Sequence, residues 1–429
     1  NVPIPSMRLM LLNTGPVAIL ASGDINSPLT GTDMSNTESL VLDGDNGILI
    51  EGDIISTISS SEELADEFGT EDNSTLRVID CQSKAIIPGF VDCHTHLLWG
   101  GDRANEMQLR HKGLTYSDIA KSGGGIQKTV KYTRKISNDS LSKLGVKRIT
   151  RAFEFGTTTM ECKSGYGLSV DSELKLLEVN QLLSKLTHMS LHSTWLGAHD
   201  VPKGMTMENY VDELIHIQLP AVVDQGFASY ADVFCEPGWF SIEDTELIVK
   251  AASELGLPSR LHVDEFVDGG GLALASELGA ISGDHVGHSS ASARQSASES
   301  GVMQTFLPGT PYILGHDLES PLKQCIENNW AFSLASDFNP NCRTLSMPFV
   351  GSLATHRLGL SPIEALVAVT RNPATTLLNS TDGQVSGSIR EGGPADLLIL
   401  DSEYIDAWCQ MPGDNPIYKT IKSGKVVNS

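Results

Sequence analysis

The stretch Ile86-Ile87-Pro88-Gly89-Phe90-Val91-Asp92-Cys93-His94-Thr95-His96 is an apolar run that ends in two histidines spaced one residue apart. The run Ile86–Asp92 reads as a β-strand. Alternate side chains of a strand share a face, so His94 and His96 point the same way, about 7 Å apart along the chain. That is near enough for both imidazoles to reach one metal ion. The plainer alternative is two polar residues at the start of a loop. The apolar strand before them favours the metal-ligand reading, because it puts the pair at a strand's C-terminal end, where the active sites of (β/α)8 barrels sit. Alternation turns Cys93 to the opposite face.

Outward from this strand the same texture recurs. Short apolar or β-branched runs lie at Thr157–Cys162, Ser190–Leu196, Ala231–Phe234, Ser259–Val263, Ser282–Val286, Val302–Phe306 and Phe332–Ser336. Amphipathic stretches lie between them, among them Asp171–Leu186, Met207–Gln225, Ile242–Leu255 and Gly270–Leu278. Eight strand–helix units over about 250 residues predict a (β/α)8 TIM-like barrel. A doubly wound sheet would alternate too, but no glycine-rich dinucleotide fingerprint follows an early strand.

Both chain ends have a different pattern. Met7–Leu12, Gly47–Glu51 and Asp53–Thr57 read as strands, the last two joined by a Gly52-Asp53 turn. Ala21–Asn46 reads mostly as loop. Pro394–Leu400 and Ile417–Ile421 read as strands near the other end. The expected division is therefore a barrel over residues 86–389 and a small composite β-sandwich domain built from both termini, 1–85 plus 390–429. The uncharged stretch Leu9–Gly23 is interrupted by Asn13-Thr14-Gly15-Pro16 and is too short to span a bilayer.

The chain of 429 residues carries 53 acidic against 30 basic side chains, a formal charge of −23. So acidic a surface repels nucleic acid and anionic membrane, and neither is an expected partner. An anionic substrate would need a local cation to hold it against that field. The seven cysteines are scattered, without a Cys-x-x-Cys pair, which reads as reduced thiols of a cytoplasmic protein.

Two further segments extend the metal reading. Ser259–Val263 carries His262 near its end, and the run Trp330–Ser336 delivers Asp337. Three imidazoles and one carboxylate make a ligand set suited to one divalent ion per chain, Zn2+ or Fe2+.

His94-Thr95-His96, His262 and Asp337 resemble the metal-binding pattern of the amidohydrolase superfamily. The likeness narrows with Gly100-Gly101-Asp102-Arg103, Gly123-Gly124-Gly125-Ile126 and Lys163-Ser164-Gly165-Tyr166-Gly167. It continues with Gly197-Ala198-His199, His262-Val263-Asp264-Glu265-Phe266, Gly283-Asp284-His285 and Ser336-Asp337-Phe338-Asn339-Pro340. In this order they resemble the imidazolonepropionase family, from about Gly47 onward. The resemblance implies hydrolysis of 4-imidazolone-5-propanoate to N-formimino-L-glutamate in histidine degradation. It implies His94, His96, His262 and Asp337 as metal ligands, with Asp337 also accepting a proton. Glu265 is then a general base or the group that holds the ring nitrogen, and His285 a proton shuttle or oxyanion partner. Alone, Glu265 would read as an exposed loop carboxylate and His285 as a structural hydrogen-bonding group.

Arg103, seven residues past His96, is implied as the partner of the substrate carboxylate, since a guanidinium can grip one with two parallel hydrogen bonds. Taken alone it would be a solvated surface charge. Tyr116, Tyr166, His199 and Asn339 are implied substrate contacts. Lys163 reads as structural or site-orienting, and His288 and His316 as solvated or structural. One departure stands out: Asn341-Cys342 occupies positions where the family usually has glycine and a small hydroxyl residue, which bears on substrate choice. By fold-level analogy a homodimer is expected. The competing readings are another cyclic amidohydrolase or deaminase acting on a purine, pterin or pyrimidine ring, and a non-catalytic barrel serving as a scaffold.

Overall fold

The computed structural model describes residues 7–318, 320–377 and 385–427. Of the two expected ranges, 1–6, 319, 378–384 and 428–429 lie outside the described residues. Eight parallel strands follow one another in chain order. They are β1 Phe90–Thr95, β2 Thr157–Lys163, β3 Ser190–Ala198, β4 Tyr230–Cys235, β5 Ser259–Val263, β6 Ser282–His285, β7 Met303–Phe306 and β8 Phe332–Leu334. Each pairs with the next, and the barrel closes just past β8. There the Asp337 N–H donates to the His94 carbonyl at 3.1 Å, and the His96 N–H donates to the Phe338 carbonyl at 2.7 Å. The (β/α)8 expectation is met. Strands β2 and β4 are buried along their whole length, as parallel strands with both faces covered must be.

The helices outside the barrel follow the expected amphipathic stretches: Val170–Leu186, Ile242–Glu254 and Gly271–Leu278. Met207–Gln225 is helical throughout but not one α-helix. A wide π turn, Leu214–Gln218, separates Met207–Glu213 from Leu219–Gln225. Pro220 offers no N–H to the ladder there, and the wide turn lets the helix continue past it. Between β1 and β2 the chain inserts short helices Glu106–His111 and Tyr116–Lys121 before Gly125–Lys135 and Asn138–Glu154. This insertion carries Arg103 and Tyr116 over the mouth of the barrel.

Two further sheets lie outside the barrel. One has four strands in the order Ile54–Ser60, Asn46–Glu51, Arg8–Leu12, Leu76–Asp80. The other has six, running Lys425–Val426, Ile417–Lys422, Leu397–Leu400, Ile86–Pro88, Val17–Ala18, Val41–Leu42, and so joins both chain ends. Leu9, Leu11, Ile48, Ile50 and Ile55 of the first share a core with Ile86, Leu397, Ile399 and Ile421 of the second. Among the described residues no helix is long and apolar enough to cross a membrane.

The expected strand Ile86–Asp92 is in fact two strands in two sheets. Ile86–Pro88 pairs with Leu397–Leu400, whereas β1 begins at Phe90 beside Thr157. Gly89 makes the crossing. Its N–H donates to the Asp396 carbonyl and that of Phe90 to the Gly156 carbonyl, each at 3.0 Å. Pro88-Gly89 marks a break in the run, but nothing local tells which sheet each half joins. A Cβ at position 89 would lie 2.2 Å from Thr158 Oγ1. Gly89→Ala is therefore expected to destabilise the fold by about 1–3 kcal/mol through overpacking. Urea unfolding measures this, and a midpoint equal to wild type would show that the crossing is not tightly packed.

Candidate active site

The chain leaves β5, β6 and β8 through backbone conformations that side chains rarely tolerate. Asp264 has φ 53°, His285 76°, Val286 45° and Asp337 51°. Such strain concentrates where surrounding contacts over-determine the chain, and commonly at functional sites. Here the contacts are buried carboxylates. Asp264 accepts from the Gly269 and Gly271 N–H groups at 3.1 and 2.9 Å, and from the Ser289 hydroxyl. Asp92 accepts from Ser336 N–H at 3.0 Å and from its hydroxyl, which steadies the turn into Asp337.

The imidazoles are oriented from behind. His94 Nδ1 is 2.6 Å from Asp284 Oδ2, and His262 Nδ1 is 2.9 Å from Asp232 Oδ2. These carboxylates put the N–H on Nδ1 and leave Nε2 as a bare lone pair, the arrangement by which proteins fix metal-binding histidines. Asp232 also takes Lys163 Nζ at 3.0 Å, and Lys163 reaches Glu161 at 2.8 Å. Lys163 thus steadies the residue that orients His262.

In front, the donors converge. His94 Nε2 is 3.3 Å and His96 Nε2 3.5 Å from Asp337 Oδ1. The rings of His94 and His262 are 4.5 Å apart, and each is 5.4 Å from that of His96. Ligand atoms of His94, His96 and Asp337 lie within 4.8 Å of one another, as do those of His94, His262 and His285. His94 Nε2 is fully buried with no hydrogen-bond partner. An orphaned lone pair among carboxylate-backed imidazoles fits a divalent cation, and these residues could hold one.

The electrostatics agree. Burial and Lys163 push the His94 pKa down, but the Asp284 carboxylate on its Nδ1 and the nearby Asp337 carboxylate more than offset them and bring it to about 9. Burial pushes Asp337 up, but the His94 and His96 imidazoles beside it hold it well below the usual carboxylate range. The point where these groups meet therefore favours positive charge. Burial, with Asp337 and Glu236 beside it, pushes Glu265 well above the usual range. Burial takes His285 down to about 4 and His199 to about 3.

A small, half-open cavity leads from this point, lined by His96, Arg103, Tyr116, Tyr166, His199, His262, Glu265, His285, Asp337 and Asn339 among others. All the sequence-derived site residues are thus brought together, with His94 in the floor beneath. Arg103 is buried, and its Nε donates to Glu106 Oε2 at 3.0 Å. Its Nη2 lies as near to that oxygen but off the hydrogen-bonding line, so this N–H group is unpaired. His285 Nε2 is 3.5 Å from Glu265 Oε2. Asn339 lines the cavity, but its amide is engaged in the loop: it donates to the Asp337 carbonyl at 2.7 Å and accepts from the Asn341 and Cys342 N–H groups. Asn341 lines the cavity and takes Arg110 Nη1 at 2.8 Å, whereas Cys342 is buried behind it. His288 and His316 are exposed, on the rim of an adjoining outer chamber.

Sequence reading passed over Asp232, Asp284, Glu161, Thr310 and Glu236. Thr310 donates its hydroxyl to Asp337 Oδ2, and Glu236 accepts from the backbone of residues 265–267 at 2.9–3.1 Å. A charged residue inside an otherwise apolar strand was the available signal for Asp232 in Tyr230–Cys235.

A parallel barrel with histidines and an aspartate converging at its C-terminal mouth defines the class of metal-dependent hydrolases, and comparison with known proteins agrees. The profile of the amidohydrolase family matches residues 85–427. Imidazolonepropionase of Symbiobacterium thermophilum is 38% identical over 98% of this chain and 97% of its own. That of Alkaliphilus oremlandii is 37% identical over 93% of each. The chain belongs to the imidazolonepropionase branch of the amidohydrolase family. Among solved structures, an atrazine chlorohydrolase of Arthrobacter aurescens superposes with a TM-score of 0.73 at 13% identity, over 98% of this chain and 95% of its own. An ochratoxinase of A. niger gives 0.68 at 17%, over 99% and 96%. These last two speak for the fold alone.

His94→Ala is expected to bring metal content from one ion per chain to near none and to abolish hydrolysis with it. Elemental analysis beside an activity assay decides this; an active, metal-loaded variant removes His94 from the ligand set.

Proposed function

We propose that the chain opens the ring of 4-imidazolone-5-propanoate with water to give N-formimino-L-glutamate, as an imidazolonepropionase of histidine degradation. The observation that carries this reading is the buried Arg103, which lines the same cavity as four imidazoles and Asp337 and whose Nη2 has no well-aligned hydrogen-bond partner. A buried cation in a chain of charge −23 suits a small anionic substrate, and the propanoate supplies the anion. Tyr116, whose ring centre lies 5.8 Å from the Arg103 guanidinium, and Tyr166 wall the same end of the cavity.

His94, His96, His262 and Asp337 would hold the ion, Zn2+ or Fe2+ being suited to such a nitrogen and oxygen set. When bound, the ion lowers the pKa of water and polarises the ring carbonyl. The water oxygen becomes a carboxylate oxygen, the ring C–N bond breaks, and the departing nitrogen takes a proton. Asp337, kept ionised by its histidine neighbours, accepts the proton of the attacking water. Glu265, whose burial favours the protonated form, donates to the ring nitrogen. His285 stands between the two, 3.5 Å from Glu265 Oε2 and 3.9 Å from Asp337 Oδ2, and passes a proton from one to the other. The same reading has the enzyme acting in the cytoplasm, as a homodimer by analogy with other such barrels, and without nucleic acid or membrane as partner.

Ring opening of imidazolone propanoate, assayed beside ammonia release from aminated purine, pterin and pyrimidine rings, tests the reading. Turnover only of an aminated ring refutes it. Arg103→Ala is expected to raise KM about 10- to 100-fold, the value of a charge-assisted contact, with metal content unchanged; unaltered kinetics would remove it from substrate binding. Glu265→Gln is expected to keep metal and lose roughly 10²- to 10⁴-fold in kcat, and a near-normal kcat excludes it from proton transfer.

A further inference from the structure

Glu173 is a carboxylate with no solvent exposure in the first turns of Val170–Leu186. A glutamate there commonly caps its own helix. This one reaches back past the N-cap residue Ser169, whose side chain makes no cap bond. It accepts from Gly165 N–H at 3.0 Å, Gly167 N–H at 2.8 Å and Leu168 N–H at 3.0 Å, and the Ser164 hydroxyl bonds it too.

The loop gathered in this way is the one that leaves β2 toward the cavity. Its shape is demanding: Gly165 has φ 101° and Leu168 φ 51°. A Cβ on Gly167 would lie 2.6 Å from the backbone of Ser172. Its products are two cavity walls. Tyr166 sits within it, 5.1 Å from the His199 ring and 5.7 Å from that of His96. The Gly165 carbonyl is 2.8 Å from His199 Nδ1, which fixes the ring stacked on His96 at 5.2 Å. Without the carboxylate, three buried N–H groups would lose their acceptor, a state costly enough to drive the loop elsewhere.

We propose that Glu173 is a positioning residue, which sets the substrate contacts Tyr166 and His199 by gathering the backbone between them. This rests on the substrate reading above. Glu173→Gln keeps the shape but turns an NH2 group onto some of those donors. It is expected to raise KM for imidazolone propanoate on the order of tenfold or more, with metal content held and amide hydrogen exchange accelerated at 164–168. In a Tyr166→Ala background the KM effect of Glu173→Gln is expected to shrink, because the two act through one contact. An unchanged KM, or an exchange increase spread evenly over the chain, overturns the proposal in favour of a purely structural role. If Glu173→Gln does not fold, Arg134→Met gives a second test. Exposed Arg134 holds the same loop from outside through the Gly167 and Leu168 carbonyls at 2.7 and 2.9 Å. A rise in KM supports the proposal and an unchanged KM overturns it. Wild-type protein that leaves the imidazolone intact refutes the substrate reading instead, and local exchange at 164–168 still decides the role of Glu173.

Discussion

Acidic groups crowd the barrel mouth with too few fixed cations to match them. Glu161, Asp232, Asp284 and Asp337 are all buried there, against Lys163 and Arg260. Taking an ion out of water costs several kcal/mol even after relaxation, unless an opposite charge and hydrogen bonds meet it. Lys163 answers Glu161 and Asp232 directly. Asp284 leans on His94, and Asp337 on His94 and His96. The remaining demand for positive charge falls where the bare imidazole nitrogens and Asp337 meet. The histidines, their carboxylates and the lysine therefore form one electrostatic unit, and a divalent ion is the group that completes it. This is also why the barrel closes where it does: the two backbone bonds between β1 and the end of β8 belong to His94, His96, Asp337 and Phe338. Closure of the fold and assembly of the site are one event.

Around that centre the loops share one device. A buried carboxylate takes a row of backbone N–H groups and so holds a loop that has no ladder of its own. Glu236 does this for residues 265–267, Asp264 for 269–272, and Glu173 for 165–168. Glu106 takes the Gly125 N–H at 2.8 Å as well as Arg103. A buried loop must satisfy its amides or it will not stay buried. An acid is well suited to the task, because one carboxylate offers about four acceptor sites. A small part of the chain's acidity is thus internal scaffolding around a site that also needs positive charge.

The parts of this arrangement legible in the sequence were those with local signatures. Strand β5 was read to the residue because Ser259–Val263 is a short segment set between the helical stretches Ile242–Leu255 and Gly270–Leu278. His94, His96, His262 and Asp337 were legible because each lies at or just past the end of a strand segment and together they resemble a family's metal-binding pattern. The split at Gly89 was not, because Pro88-Gly89 interrupts the run without showing that its two halves pair with residues far apart in the chain, Leu397 and Thr157. The partners Asp284 and Asp232 were equally hidden. They meet His94 and His262 across 190 and 30 residues of chain, and only the register of the closed barrel brings them there. Asn339 shows the opposite difficulty: its motif marked it as a contact, yet only coordinates reveal that the amide is occupied with its own loop.

The pairing of Arg103 with Glu106 resolves an apparent conflict. A lone guanidinium in a closed cavity would be costly to bury, and one fully satisfied by protein could not receive a ligand. Glu106 takes Nε and lies beside Nη2 without a proper hydrogen bond to it. The charge is therefore compensated while a donor stays available. Under the proposed function, an arriving carboxylate could take Nη2 while Nε keeps its bond to Glu106, so little of its binding free energy would be lost to reorganisation. Glu106 in turn is anchored by the Gly125 N–H, which ties the direction of Arg103 to the glycine-rich turn that opens the helix Gly125–Lys135. The Gly123-Gly124-Gly125 segment would then bear on the proposed substrate contact at one remove: its backbone packs so closely on Glu106 that a Cβ on Gly124 would lie 3.1 Å from Glu106 Oε1.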